Sequence, residues 1–233
     1  MTLTKKVIWL TIFSIAMGFM ETVIVVYLRK LYYPNGFDFP LVTMDLDILK
    51  AEFLREAATV IMLLGIGILT GKTAAQKFAC FIFSFAIWDI FYYVFLKMLL
   101  DWPQSVFTWD ILFLIPFPWV GPVLAPCIVS LTMIVLAMGI VYLEQKGYNM
   151  FIKTTDWLMF TAGSLIIIFS FMTDAFHYLS ADLSKIENYV PVFYNWLLFW
   201  LGEGIIILGM FIYFKRTIKE NENRFEILSE EHA

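Results

Sequence analysis

The chain reads as an all-α, polytopic integral membrane protein: six transmembrane helices, with a Pro-rich re-entrant or interfacial segment before the fourth. Three observations predict this. Of 233 residues, 61% are hydrophobic, 18% aromatic and only 15% charged, where a soluble domain has about 45–50% apolar and about 25% charged residues. Six stretches each supply the about 20 mostly apolar residues that a span requires. The polar segments between them are too short to hold a soluble domain. Together these exclude a disordered chain, a disulfide scaffold and a soluble enzyme.

The spans are expected at residues 7–28, 50–70, 78–100, 123–143, 157–179 and 191–214. Lys5 and Lys6 precede the first run, and Arg29 and Lys30 close it. With no small-x-small cleavage site following, it reads as a retained span rather than a signal peptide. The second run opens on a polar turn. Before the fourth, Pro116, Pro118, Pro122 and Pro126 fall within eleven residues, beside Trp119. Proline removes a backbone donor, and non-helical backbone at membrane depth persists only where protein buries it or a wet cavity adjoins it. That segment is therefore either a wall of a cavity or a rigid interfacial loop. Residues 1–219 form one transmembrane domain, and 220–233 a polar cytoplasmic tail.

With the N-terminus inside, ten of the sixteen Lys and Arg residues fall on the inner side and six on the outer. The positive-inside rule then makes both termini cytoplasmic. The expected location is the cytoplasmic membrane of a bacterium. The first outer loop, 29–49, carries Tyr32, Tyr33, Phe37 and Phe39, aromatics that suit the headgroup belt.

Spans one, three and five share a local pattern. Phe83-Ser84-Phe85 precedes Asp89, Phe169-Ser170-Phe171 precedes Asp174, and Phe13-Ser14-Ile15 precedes Glu21. Either the chain holds three helical hairpins related by parallel repetition, or the pattern is chance in a chain with 24 Phe residues.

An ionisable side chain inside a bilayer costs about 2.5–3.5 kcal/mol on insertion scales, so those present are the candidate site residues: Glu21, Arg55, Glu56, Asp89, Asp174, His177 and Glu203. At 1.5 Å per residue, Glu21, Glu56 and Asp174 lie about 8–10 Å from the outer end of their spans, His177 about 3 Å, and Asp89 and Glu203 about 16–18 Å. All fall in the outer half or at the centre, which predicts a polar cavity open to the outside above a dry inner half. Tyr93 lies one turn from Asp89 on the same helix face. Arg55 is the one guanidinium expected to reach the cluster, as counter-ion to Glu21 or Asp89. Glu203 sits between Gly202 and Gly204, which permit close helix approach or local unwinding. Against a binding role stand snorkelling of Glu56 and His177, a packing pair of Asp174 with His177, and neutral acids bonding between helices at Glu21, Asp89 and Glu203.

Three function classes follow. The first is ligand binding: a small ligand, cation or proton held in an outward-facing acidic cavity by Glu21, Arg55, Glu56, Asp89, Tyr93, Trp119, Asp174, His177 and Glu203, with transport if an inner gate opens. The second is an intramembrane enzyme acting on a lipid or isoprenoid, with Asp174 and His177 as catalytic acid and base. The third is a non-catalytic subunit or assembly factor of a larger membrane complex. Carboxylates suit a hard cation such as Mg²⁺ or Ca²⁺, and His177 with carboxylates suits zinc or iron. Two histidines rule out a three-His zinc site. Cys80 and Cys127 lie in apolar runs without CxxC spacing and read as inert buried thiols. No P-loop, GxGxxG or Gly-x-Ser-x-Gly motif occurs, and no cofactor is indicated. No basic patch favours nucleic acid. The expected partners are the lipid bilayer, a small ligand, cation or lipid, and further copies or a larger complex.

Overall fold

A computed structural model describes residues 3–113, 118–179 and 189–230. Pro116, Lys185 and His232 lie outside the described residues. Six helices are long and apolar enough to cross a membrane, as a helical membrane protein requires. They are α1 (Leu3–Tyr32), α2 (Leu46–Thr70), α3 (Ala74–Leu100), α4 (Leu124–Gln145), α5 (Thr154–Leu179) and α6 (Trp196–Glu230). Helices suit these runs because backbone donors and acceptors are satisfied within each segment where lipid offers no partner. Local polar groups mark their starts. The Asp45 carboxylate accepts from Asp47 N–H at 2.9 Å before α2, and the Thr73 hydroxyl from Gln76 N–H at 3.1 Å before α3.

Observed limits differ from the apolar runs at several helix ends. α1 continues a turn beyond residue 28, through Arg29 and Tyr32, and α2 begins a turn before residue 50. The sixth helix starts at Trp196 rather than residue 191, after a non-helical segment. Asn195 there accepts from Leu198 N–H at 3.0 Å, which is capping geometry. α6 then runs unbroken to Glu230, across the limit at residue 219 expected from composition.

α3 lies at the centre of one group, packed against α1, α2 and α4, while α5 packs along α6. α1 and α2 both rest on α3 rather than extensively on each other. Ser14, Ser84 and Ser170, the serines of the Phe-Ser pattern, are all buried, as small residues at helix contacts should be. Gly202 meets the Gly163 carbonyl so closely that a Cβ would lie 2.8 Å from it and 2.7 Å from Ile167. Both flanks of Glu203 therefore stay helical, and Gly202 serves close approach, not unwinding.

The segment before α4 contains a two-stranded antiparallel ribbon, β1 (Trp109–Phe113) and β2 (Trp119–Pro122), which pairs Asp110 with Gly121. β2 rests on α5: a Cβ on Gly121 would come within 2.8 Å of the Phe171 ring and 3.0 Å of Tyr194. This end of the bundle, called the ribbon end below, also bears the 33–45 loop. The opposite end holds a buried pair that the expected dry inner half did not include. Arg216 donates to both oxygens of Asp156 at 2.8 and 2.7 Å, and Asn221 bonds the backbone of Asn149 through both its amide groups. Asp156 also accepts from Lys153 N–H at 2.7 Å at the start of α5. Asp156 sits in the first turn of α5, and the Arg216 side chain is partly exposed.

Because α5 and α6 meet backbone to backbone at Gly163 and Gly202, Gly202→Val should lower the thermal unfolding midpoint in detergent. Overpacking of this kind costs about 1–3 kcal/mol. A midpoint equal to that of the unaltered protein would show the contact to be looser than described.

Candidate functional site

Extending α1 and α2 by a turn brings three acids to one level. Glu21 is eleven residues from the end of α1, Glu56 ten from the start of α2, and Asp89 eleven from the end of α3. At 1.5 Å per residue each lies about 15–17 Å along its helix from the ribbon end. They face a cavity of about 270 Å³ set between α1, α2 and α3 and roofed by the 33–44 loop and the ribbon. Its lining contains five carboxylates (Glu21, Glu52, Glu56, Asp89, Asp110) and two guanidinium groups, Arg29 and Arg55. Tyr32, Tyr33, Phe37, Trp88, Tyr92, Tyr93 and Phe113 supply aromatic wall, and Val25, Leu28, Leu41, Leu46 and Leu49 aliphatic wall.

Arg55 is the central cation. Its Nη1 bonds Glu21, and its Nε bonds Glu52 at 2.8 Å. The Thr59 hydroxyl donates to the other Glu21 oxygen at 3.3 Å. The expected alternative, a pair with Asp89, is not formed. Asp89 accepts instead from the Ser130 hydroxyl of α4 at 2.8 Å. That is its one hydrogen bond among the described residues, and the side chain is nine-tenths buried. Beside it, the Trp88 indole N–H is buried without an acceptor among the described residues.

A second guanidinium, Arg29, also reaches the cavity, which corrects the expectation that Arg55 would be alone. Arg29 Nη2 donates to Asp110 at 3.0 Å, with both side chains almost wholly buried. Its guanidinium carbon lies 3.7 Å from the Trp102 ring centre and 4.4 Å from that of Phe37, within cation–π range of both. Tyr33 and Phe37 thus face inward and do not serve only as a headgroup belt. Burial pushes the Asp110 carboxyl up from its ordinary value of 3.8, opposed by the Arg29 charge, the Ile111 N–H and the Tyr93 hydroxyl.

Of the residues expected at the site, Glu21, Arg55, Glu56, Asp89 and Tyr93 line this cavity, and the other four lie elsewhere. Trp119 stacks on Phe171 at 6.5 Å, in a cluster with Tyr194 and Phe199. Asp174 accepts from the Tyr189 hydroxyl at 2.7 Å. Burial and that carboxylate push the Tyr189 hydroxyl up. His177 is exposed at the end of α5. Glu203 is fully buried and accepts from the Thr132 hydroxyl at 3.0 Å. The acids of the Phe-Ser pattern accordingly divide, with Glu21 and Asp89 in the cavity and Asp174 outside it.

Residues not anticipated as site residues are Arg29, Glu52, Trp88, Tyr92 and Asp110. The one signal for Arg29 was its position immediately after an apolar run, which it shares with every flanking cation. Among the described residues no three of His, Cys, Asp and Glu are placed to hold a metal ion, so the zinc or iron reading lacks a three-side-chain ligand set there. No protein-family model, curated protein or solved structure matches the chain.

Removing one partner of a buried ion pair costs about 3–5 kcal/mol, so Arg29→Met should lower the unfolding midpoint. The sign of its pH dependence follows from Asp110. A carboxyl raised in the folded state contributes stability at low pH that is lost as pH rises through its folded value. Arg29→Met removes the opposing charge and raises Asp110 further, so the deficit should grow as pH climbs above 3.8. Adding Asp110→Asn should flatten that slope. Thermal unfolding in detergent across pH measures both, and a deficit independent of pH would refute the pairing.

Proposed function

We propose that this protein binds a small cationic ligand, or a proton, in the cavity between α1, α2 and α3. The observation that carries the proposal is the convergence there of five carboxylates against two guanidinium groups, so that positive charge is deficient if all are ionised. Arg55 and Arg29 are engaged by Glu21, Glu52 and Asp110, and Asp89 has a single hydroxyl donor. An incoming cation supplies the charge that these acids lack, and the aromatic walls favour it further.

With both termini cytoplasmic in the cytoplasmic membrane, the ribbon end faces outward. The cavity then lies toward the extracytoplasmic side, and the Pro-rich segment forms part of its roof. Transport follows if the opposite end opens. The six-helix composition supports a multi-pass membrane protein and fits this arrangement. The enzymatic alternative through Asp174 and His177 has less support, since Tyr189 engages Asp174.

In a thermal-shift screen of the purified protein against soluble organic cations, at least one should raise the unfolding midpoint. The double variant Glu21→Gln, Asp89→Asn should lose that shift, with affinity reduced by about tenfold or more, as expected for loss of charged partners. Glu203→Gln should keep it. Circular dichroism checks that each variant is folded. An undiminished shift in the folded double variant would sink the proposal.

A further inference from the structure

The geometry points to a narrower ligand class: an amphiphile with an ammonium head, which reaches the cavity from the edge of the bilayer at the ribbon end. This rests on the cavity being the binding site and adds the head chemistry and the route. The head follows from Asp89. Its carboxylate is nine-tenths buried, lines the cavity and has one hydrogen bond, from Ser130, among the described residues. Trp88, Tyr92 and Tyr93 stand beside it on α3 and line the same space. One carboxylate amid aromatic faces is the chemistry that recognises an ammonium group. Among the described residues no three of His, Cys, Asp and Glu come together here as metal ligands.

The route follows from helix packing. α1 and α2 each pack on α3 rather than extensively on each other, so the cavity lies in the gap between them. Its lining there is aliphatic, with Val25 and Leu28 from α1 and Leu46 and Leu49 from α2. Leu46 and Leu49 are exposed in the first turn of α2, beside the exposed Asp47 and Lys50, so this mouth opens at the edge of the bilayer on the ribbon side. A hydrocarbon chain lying against them leaves no water-exposed apolar surface, and the head reaches the acids behind. The volume of about 270 Å³ is at the small end of ligand pockets, about 300–1,000 Å³. It accommodates a head and the start of one chain, and the rest stays in lipid. The ammonium belongs to a free alkylamine or to the head of an aminophospholipid.

The test uses the full chain in phosphatidylcholine nanodiscs, with heats measured by titration calorimetry and empty nanodiscs subtracted. The probes are octylammonium, ethylammonium and octanol. Octylammonium should bind at least about tenfold more tightly than ethylammonium, since each buried methylene is worth about fourfold, and more tightly than octanol. Asp89→Asn should weaken octylammonium about tenfold or more. Leu49→Gln, on an exposed position that does not threaten folding, should shrink the gap between the two amines. Adding phosphatidylethanolamine to the nanodiscs separates the sources: competition assigns the head to a lipid, and its absence assigns it to a free amine. Equal binding of the two amines, with both weakened by Asp89→Asn, overturns access from the bilayer and leaves the cavity a cation site. Octanol matching octylammonium, or an Asp89→Asn variant that binds normally, overturns the ammonium head. Binding of none of the probes overturns the inference as a whole, while the soluble-cation screen judges the cavity separately.

Discussion

A charge that cannot face hydrocarbon must face another charge, and the ribbon end of this molecule is arranged around that constraint. A lone ionised side chain at the middle of a span costs about 2.5–3.5 kcal/mol even on the mildest scale. Arg55 meets this by bonding Glu52 on its own helix and Glu21 on α1. That contact bridges α1 and α2, whose extensive packing is with α3. Two helices that share a neighbour but little surface with each other leave a gap, and the ion pair sets polar groups at its floor.

The same logic builds the roof. Arg29, one turn from the end of α1, bonds Asp110 of β1, and its guanidinium sits against the rings of both Phe37 and Trp102, which meet edge to face. A lysine would offer a point charge without the planar, delocalised guanidinium face. Phe37 continues into ring contacts with Tyr33 and Phe39, and Phe39 with Tyr189. The Tyr33 hydroxyl accepts from Val42 N–H at 2.9 Å, holding the far side of the loop to α1. One cation thereby organises a segment that has no helix of its own.

The centres of the six helices were legible because an apolar run of about 20 residues has few alternatives to a span. Their ends were not. Tyr32 and Arg29 carry apolar bodies with polar tips, so the last turn of α1 has the composition of a loop, and a one-turn error there displaced Glu21 from the level of Asp89. Helical spacing put Tyr93 on the face of Asp89, and both do line the cavity. Spacing does not say which neighbour a face meets. Asp174 and Glu203 looked equivalent to Glu21 and Asp89 as isolated acids in apolar runs, yet one meets Tyr189 and the other Thr132. Asp110 carried no cost signal because it lies between spans. Its pairing with an arginine 81 residues away depends on the ribbon, which a proline-rich segment does not announce.

Asp110 and Gly121 are opposite one another on the ribbon, and they look in different directions. Asp110 holds Arg29 of α1, while Gly121 lies flush against the Phe171 ring of α5. This rung of the ladder therefore touches both groups of helices, alongside the Phe39–Tyr189 and Trp119–Phe171 ring contacts at the same end. Any shift of the Arg29 head bears on the same ribbon that braces α5.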